Sequence, residues 1–400
     1  MKKFLAILMV IVMATALFAC GGTDKPAVTD APKDDTPTAT ATPAADPGTP
    51  SATPEANTVA PSTGDVGFVT DDVDHWARDA YNVVYYNYAV SNLTAQTTDA
   101  LNQLGAAYNF TVEQLTANGD ADTYINNLQT ILLKGTSGLI VDINAELAPR
   151  VSEILAEYDI PAVCLFNRAQ NVDGNIVIPS VVMDQYYNGE TQMQYLHDVY
   201  KDYWGDIDKS EITLLILDWS GSMDINARAQ GAEARWKELF GDQTFYYGDT
   251  AADSLSSEAG YNVTNSILAA HPEVKYWFIV GTVEDTTLGG SRAVEALGME
   301  DRVLMTASGA AILPGEWDNG YDGIWIANYA ISPFMYSGTG VMGLLALMDG
   351  RAEMGTLWPD TFLEGDQAAR FMLASTMMTR ANYKTMLGDV VRSFGVEYDG

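Results

Sequence analysis

Hydrophobic residues in the first half of the chain alternate between two spacings. Residues 81–88 are rich in valine and tyrosine and predict a strand, and residues 97–108 then carry apolar side chains at helical spacing. Further strands are predicted at 110–115, 138–142 and 160–166, with helices at 122–133 and 145–157. This alternation favours a parallel sheet covered by helices on both faces.

A second round of the same pattern begins near residue 186. Strands are predicted at 212–217, 244–247, 276–280, 302–306 and 324–329, and helices at 187–203, 225–240, 256–270, 287–297 and 366–378. Two such rounds predict an α/β fold of two Rossmann-like, doubly wound domains. Because doubly wound sheets bind ligands beyond the carboxyl ends of their strands, the cleft between the domains is the expected site.

The first twenty residues predict export. Two lysines precede an apolar run over residues 4–18, which has the length of a secretory signal rather than of a bilayer-spanning helix of roughly 20 residues. Leu17-Phe18-Ala19-Cys20 then resembles a bacterial lipobox, with a bulkier Phe18 than is usual. An ordinary signal peptide that ends in a cysteine is the alternative. We expect a signal peptide over 1–19, lipid attachment to Cys20, and anchoring on the extracytoplasmic face of a bacterial membrane.

The segment that follows, residues 20–77, has the composition of a tether. Eight of the 15 prolines lie between residues 21 and 63, interleaved with threonine and alanine. Such a segment buries too little apolar area to offset the entropy of ordering it. We therefore expect a disordered tether stiffened by proline.

Composition and charge narrow the function. The 400 residues are 47% hydrophobic, which is enough for two cores, and 53 acidic against 21 basic side chains give a formal charge of −32. This charge repels phosphate backbones, so no nucleic-acid partner is expected. Cys20 and Cys164 cannot build a disulfide framework, and three histidines leave little for a zinc site. No cofactor is expected.

Several short motifs occur in the order known from one family. They are Lys134-Gly135-Thr136, Ile160-Pro161-Ala162-Val163, Asp184, Arg228-Ala229-Gln230-Gly231, Ala270-His271-Pro272-Glu273-Val274 and Leu288-Gly289-Gly290-Ser291-Arg292-Ala293. Together they resemble the type I periplasmic sugar-binding proteins, the ribose- and galactose-binding group, over roughly residues 80–363. The resemblance implies two Rossmann-like domains joined by a three-strand hinge. It also implies a small-molecule ligand, probably a carbohydrate in chemical class, and an ABC transporter permease as partner.

The resemblance also implies binding residues. Asn167 and Arg168 stand where the family has an Asp-Arg pair, Arg228 where it has a binding arginine, and Asn328 where it has a binding amide. For Arg168 a solvated loop position, for Arg228 an ion pair with Glu233, and for Asn328 a hinge role are the alternatives. The family's usual residues are replaced by Glu284 and Ser308 at two sites, and by a different first loop. That loop contributes Asn87, Tyr88 and Ser91.

Tryptophans complete the expected pocket, because a sugar ring stacks on flat aromatic faces. Trp219, Trp317 and Trp325 lie at or near strand ends, with core packing as the alternative. The expected site is thus Asn87, Tyr88, Ser91, Asn167, Arg168, Trp219, Arg228, Glu284, Ser308 and Asn328.

Domain boundaries follow from the same resemblance. Domain I is expected at 78–184 with 329–362, and domain II at 185–328 with 363–400. The chain past residue 363 is longer than the family's usual end.

A rival interpretation rests on Asp218-Trp219-Ser220-Gly221-Ser222-Met223, which resembles the metal-dependent adhesion site of von Willebrand A domains. Asp218, Ser220 and Ser222 would there hold Mg²⁺ through oxygen ligands. This reading gives no account of residues 80–205. Catalysis is not expected either, because Cys164 lies within an apolar strand rather than beside an oriented base.

Overall fold

A computed structural model describes residues 73–251, 255–358 and 363–398. The predicted signal peptide, Cys20 and most of the predicted tether lie outside these residues. Within them, no helix is both long enough and apolar enough to cross a membrane.

The described chain contains twelve strands and ten α-helices, in two rounds. The first round holds β1 (Tyr81–Asn87), α1 (Asn92–Tyr108), β2 (Phe110–Thr116), α2 (Ala121–Leu133), β3 (Gly138–Asp142), α3 (Ala148–Tyr158), β4 (Ala162–Leu165) and β5 (Ser180–Met183). The second holds α4 (Gln185–Trp204), β6 (Ile212–Asp218), α5 (Met223–Phe240), β7 (Phe245–Asp249), α6 (Ser257–Ala270), β8 (Tyr276–Gly281), α7 (Glu284–Ala296), β9 (Val303–Ser308), α8 (Leu313–Asp318) and β10 (Trp325–Tyr329). The chain ends with α9 (Pro333–Met348), β11 (Arg370–Leu373), β12 (Met377–Thr379) and α10 (Tyr383–Ser393).

Two six-stranded sheets form the cores, with the orders β11-β5-β4-β3-β1-β2 and β12-β10-β9-β8-β6-β7. All neighbouring strands run parallel except β10 and β12. In the first lobe, α1 and α9 cover one face of the sheet while α2 and α3 cover the other. In the second lobe, α4 and α5 cover one face while α6, α7 and α8 cover the other. This confirms the predicted α/β fold of two doubly wound domains.

The chain passes between the lobes three times. It leaves the first sheet after β5 for α4, leaves the second sheet after β10 for α9, and leaves the first again after β11 for β12. Asp184 stands at the first passage and caps α4 by accepting from the Tyr187 amide over 2.9 Å. Three connections side by side form a hinge about which such lobes rotate.

The helix predicted over 366–378 is wrong. This segment instead forms β11 in the first sheet and β12 in the second, because each sheet has an edge that a short strand can complete. Its hinge end is fixed by Asp366 and Arg370, a buried ion pair at 2.8 Å. The proposed domain boundaries therefore need one strand of the C-terminal segment in each lobe.

Helix α10 packs on both lobes. At its start, Tyr383 stacks against Trp317 of the second lobe at 5.0 Å and donates to Asp318 over 2.7 Å. At its end, Val391 and Phe394 belong to the core of the first lobe. The C-terminal helix thus forms a strap across the hinge, whereas the sequence predicted packing on the second lobe alone.

Candidate functional site

The loops that follow the parallel strands of the two lobes meet at a cleft. Asn92, at the start of α1, donates through Nδ2 to Asp285 Oδ1 of α7 over 2.7 Å. One turn later, Gln96 Nε2 donates to the carbonyl oxygen of Ala311 over 2.6 Å. These two hydrogen bonds join the lobes in a closed arrangement.

In the first lobe, the loop after β1 uses its polar groups internally. Asn87 is buried and donates to the Thr116 hydroxyl over 3.3 Å. The Tyr88 hydroxyl donates to the Gly119 carbonyl over 2.6 Å, and Ser91 caps α1 by accepting from the Thr94 amide over 3.2 Å. These three predicted contacts therefore shape the loop that borders the cleft.

The loop after β4 presents more to the cleft. Phe166 has a φ of 71°, a left-handed conformation that costs energy for a residue with a Cβ. Its ring lies 4.4 Å from the ring of Tyr336 at the start of α9. The next residue, Asn167, donates to Asp142 Oδ1 over 2.9 Å, and the Arg168 guanidinium has no partner among the described residues. This loop supplies an aromatic wall, an amide and a free cation.

Asp142, the last residue of β3, was not among the predicted site residues. Burial raises the pKa of its carboxyl to about 7, against the hydrogen bond from Asn167, which lowers it. The sequence carried a usable signal, because Asp142 is a polar residue at the carboxyl end of a predicted strand. Cys164, in β4 beside it, is fully buried, as predicted, and burial raises the pKa of its thiol well above the usual range.

In the second lobe, Arg228 is buried at the edge of the cleft. Its Nε donates to Gln185 over 2.7 Å and one terminal nitrogen donates to the Thr282 carbonyl over 2.6 Å. Its charge lowers the pKa of Tyr336 in the first lobe, although burial raises that pKa more. Arg228 is therefore held by its own lobe and acts across the cleft, and the alternative ion pair with Glu233 does not form, since Glu233 pairs with Lys237.

Next to Arg228, β6 ends in Asp218, and the half-buried Trp219 follows. Asp218 is only 1% exposed and accepts from Asn226 over 2.7 Å through Oδ2. Its Oδ1 is buried without a hydrogen-bond partner. Because an unpaired buried acceptor costs about 1–3 kcal/mol, Asp218 offers a place for a donor group.

Glu284 and Asn328 bind each other instead of opening to the cleft. Glu284 Oε1 accepts from the Leu313 amide over 3.0 Å and from Asn328 Nδ2 over 2.7 Å. Glu284 Oε2 accepts from the amides of Ala311 and Ile312 over 2.7 and 3.0 Å. Burial raises the pKa of Glu284 to about 7, and the backbone hydrogen bonds oppose this shift. The pair fixes the loop after β9, which supports the hinge alternative for Asn328.

The remaining predicted side chains also face the protein. Ser308 is buried, accepts from Gln192 over 2.8 Å and donates to Asn188 over 2.9 Å, both on α4. Trp317 and Trp325 are 5% and 1% exposed, so core packing describes them correctly and stacking on a ligand does not. Of the predicted residues, Asn167, Arg168, Trp219 and Arg228 are therefore the ones that the fold brings to the cleft with groups to offer.

The adhesion-site interpretation is not supported. Ser220 donates to Asp249 over 2.5 Å, while Ser222 caps α5 by accepting from the Ile225 amide over 3.5 Å. In the described part of the chain, no group of three or more His, Cys, Asp or Glu side chains is placed to hold a metal ion. The two-lobed fold also accounts for the residues that this reading left unexplained.

Comparison with known proteins agrees with this architecture. Residues 86–309 match the model of the family described as periplasmic binding proteins and sugar binding domain of LacI family. The L-arabinose-binding periplasmic protein of Escherichia coli (strain K12) is 25% identical in a match that covers 45% of this chain and 55% of that relative. The chain thus spans about half the length of this curated relative.

Solved structures show the same fold at low identity. A periplasmic solute binding protein of an ABC transporter from Actinobacillus succinogenes 130z, with bound D-allose, has a TM-score of 0.63 and 13% identity, covering 77% of this chain and 100% of its own. The arabinose transporter component from Shewanella sp. ANA-3 has a TM-score of 0.59 and 14% identity, covering 80% of this chain and 99% of its own.

Proposed function

The chain belongs to the family of periplasmic binding proteins, and from this premise we propose that it captures a carbohydrate in the cleft and delivers it to an ABC importer. The observation that supports this proposal is the pair of opposed polar edges. Asn167 and Arg168 of the first lobe face Trp219 and Arg228 of the second.

The chemistry of these groups suits a polyhydroxylated ring. Sugar hydroxyls both donate and accept, so they pair with guanidinium donors, an amide and a carboxylate. Asp218 Oδ1 supplies the unpaired acceptor, and Trp219 together with Phe166 supplies apolar faces for the ring. We add Asp142 and Asp218 to the proposed contacts. We assign Asn87, Tyr88, Ser91, Glu284, Ser308 and Asn328 to the scaffold around them.

Anchoring belongs to the same proposal. Lipid attachment at Cys20 and the proline-rich tether would hold the binding domains near the importer on the extracytoplasmic face of the membrane. The relatives named above have the D-allose and L-arabinose of their titles as ligands. Capture without chemical conversion of the ligand is part of the proposal, since the family is one of binding proteins.

Thermal unfolding against a panel of mono- and oligosaccharides tests the proposal. A sugar at about 100 times its dissociation constant should add roughly 2.7 kcal/mol to the free energy of unfolding. In Arg228→Ala the sugar-dependent increment should shrink by about 2 kcal/mol, because a hydrogen bond to a charged group is lost. Arg150→Ala is the matched control, since Arg150 pairs only with Glu153 on the surface of α3.

Each variant is compared with and without sugar, which separates binding from any change in intrinsic stability. Arg228→Lys provides a second variant that keeps the buried charge. If no sugar stabilises the unsubstituted protein, or if the stabilising sugar is consumed on incubation, the proposal is wrong.

A further inference from the structure

A second cavity lies on the hinge side of the molecule, apart from the cleft residues. It has a volume of about 230 Å³ and is enclosed by α1, α10, the loop after β9 and the passage from β10 to α9. Ala310 contributes from the second lobe, Gln96 and Asp99 from the first, and Leu387 and Val391 from the strap. Drug-sized ligands occupy roughly 300–1,000 Å³, so this cavity suits a smaller molecule.

Ser332 provides the first sign that the cavity is a binding site. It occupies the N-cap position of α9, where a serine side chain normally accepts a backbone hydrogen bond, yet it makes no such bond. Only 4% of Ser332 is exposed, and it lines the cavity. Among the described residues its hydroxyl has no hydrogen-bond partner. A buried hydroxyl that forgoes the helix cap is available to a molecule in the cavity.

The charge of the lining selects the class of that molecule. Asp99 is exposed at the rim and, within the described chain, forms neither an ion pair nor a hydrogen bond. No lysine, arginine or histidine of the described residues lines the cavity. Arg392 lies over the ring of Tyr398, another lining residue, but pairs with Asp389 over 2.8 Å. The lining therefore favours a cation and disfavours an anion.

The remaining lining is apolar, with Phe334, Leu387 and Val391 around the interior. We infer that this hinge cavity binds a small amphipathic amine, whose ammonium pairs with Asp99, whose hydrocarbon body packs on Phe334 and Leu387, and whose far end bonds the Ser332 hydroxyl. This site is independent of the proposed sugar site.

The position of the cavity couples it to the arrangement of the lobes. Its walls come from both lobes, and Gln96, which lines it, donates to Ala311 across the lobe boundary over 2.6 Å. A ligand that touches both walls favours the closed arrangement, so it strengthens cleft binding and is itself strengthened by a cleft ligand.

Three probes with one hydrocarbon body test the inference on the full chain by titration calorimetry: tyramine, neutral tyrosol and anionic 4-hydroxyphenylacetate. Tyramine should bind about fivefold or more tightly than tyrosol, as expected of one partly exposed charge pair, and the anion should not bind. Asp99→Asn should remove the preference for tyramine. Ser332→Ala should weaken both tyramine and tyrosol, and Leu387→Trp, which fills the cavity, should abolish binding.

Asp122→Asn is the control for the loss of one negative charge, because Asp122 is an exposed aspartate on α2, away from the cavity. Its tyramine affinity should equal that of the unsubstituted protein. Equal affinities for the three probes, or tyramine binding unchanged in both Asp99→Asn and Leu387→Trp, would overturn the inference. Competition between tyramine and a cleft sugar would also overturn it, whereas failure of the whole sugar panel would leave the tyramine result standing.

Discussion

Replacing Glu284 by glutamine tests whether this residue is part of the scaffold or part of the binding site. The resemblance to the family suggested a ligand contact, whereas the structure gives its two oxygens four internal donors. Three of these donors are backbone amides of the loop after β9, and the fourth is the side-chain amide of Asn328. At pH 8, above the pKa of about 7, the carboxylate is ionised and accepts from all four.

The expected magnitude follows from the bonding pattern. Glutamine keeps one oxygen but turns the other into an NH₂ group, which places a donor against two of the donors. A hydrogen bond to a charged group contributes about 1.5–3 kcal/mol. Losing two such bonds should lower the free energy of unfolding by about 3 kcal/mol or more. Ligand affinity of the folded variant should change little, because the carboxylate does not reach the ligand.

Urea unfolding at pH 8 measures the first quantity, and calorimetric titration with the sugar identified above measures the second. Glu258→Gln is the matched control, since Glu258 is an exposed residue in the first turn of α6. Its effect should stay within about 0.5 kcal/mol. A Glu284→Gln protein with unchanged stability but at least tenfold weaker sugar binding would refute the scaffold role and restore the ligand contact.

Three further outcomes follow from the structure. The folded-state pKa of Asp142 is raised above its ordinary value, so its contribution to stability is present near pH 4 and is lost as pH rises to about 7. This loss should amount to about 2 kcal/mol after allowance for partial exposure, and Asp142→Asn should remove it in urea titrations across that range. Gly231→Ala should destabilise by about 1–3 kcal/mol, because its Cβ would lie 1.9 Å from the Tyr186 carbonyl oxygen, whereas Gly315→Ala meets nothing within 4 Å and should be neutral or stabilising. Asp366→Asn should cost about 3 kcal/mol in the same assay, because it leaves the buried guanidinium of its partner uncompensated, and a cost below 1 kcal/mol would contradict that reasoning.

The sequence was most informative where apolar residues alternate clearly with polar ones. Strands such as β1 and β8 lie within one or two residues of their predicted ends, because each is an apolar run bounded by turn residues. Helix α9 was not predicted. Most of its side chains are buried, so it lacks the amphipathic spacing that marks a surface helix.

Short edge strands escaped for a related reason. β5 and β11 have four residues each, and β11 begins with Arg370, so neither forms an apolar run long enough to recognise. Their places depend on strand pairing between residues far apart in the chain, Arg370 with Ser180, which no local pattern encodes.

For the site, the sequence located the correct loops but not the direction of each side chain. Arg228 and Trp219 follow β6 as expected, and both border the cleft. Glu284 and Ser308 also follow strands, yet their hydrogen bonds point into the protein. Which way a polar side chain turns depends on the donors around it, and those donors come from other elements of the fold.

The placement of β11 and β12 has a consequence for biosynthesis. These strands are made last, and they complete the edges formed by β5 in one sheet and β10 in the other. Until residues 370–379 have left the ribosome, both lobes expose an unpaired strand edge of the kind that invites aggregation and proteolysis. The two lobes therefore finish folding together rather than in sequence. A chain that stops shortly before residue 370 leaves two incomplete lobes, not one finished lobe and one fragment.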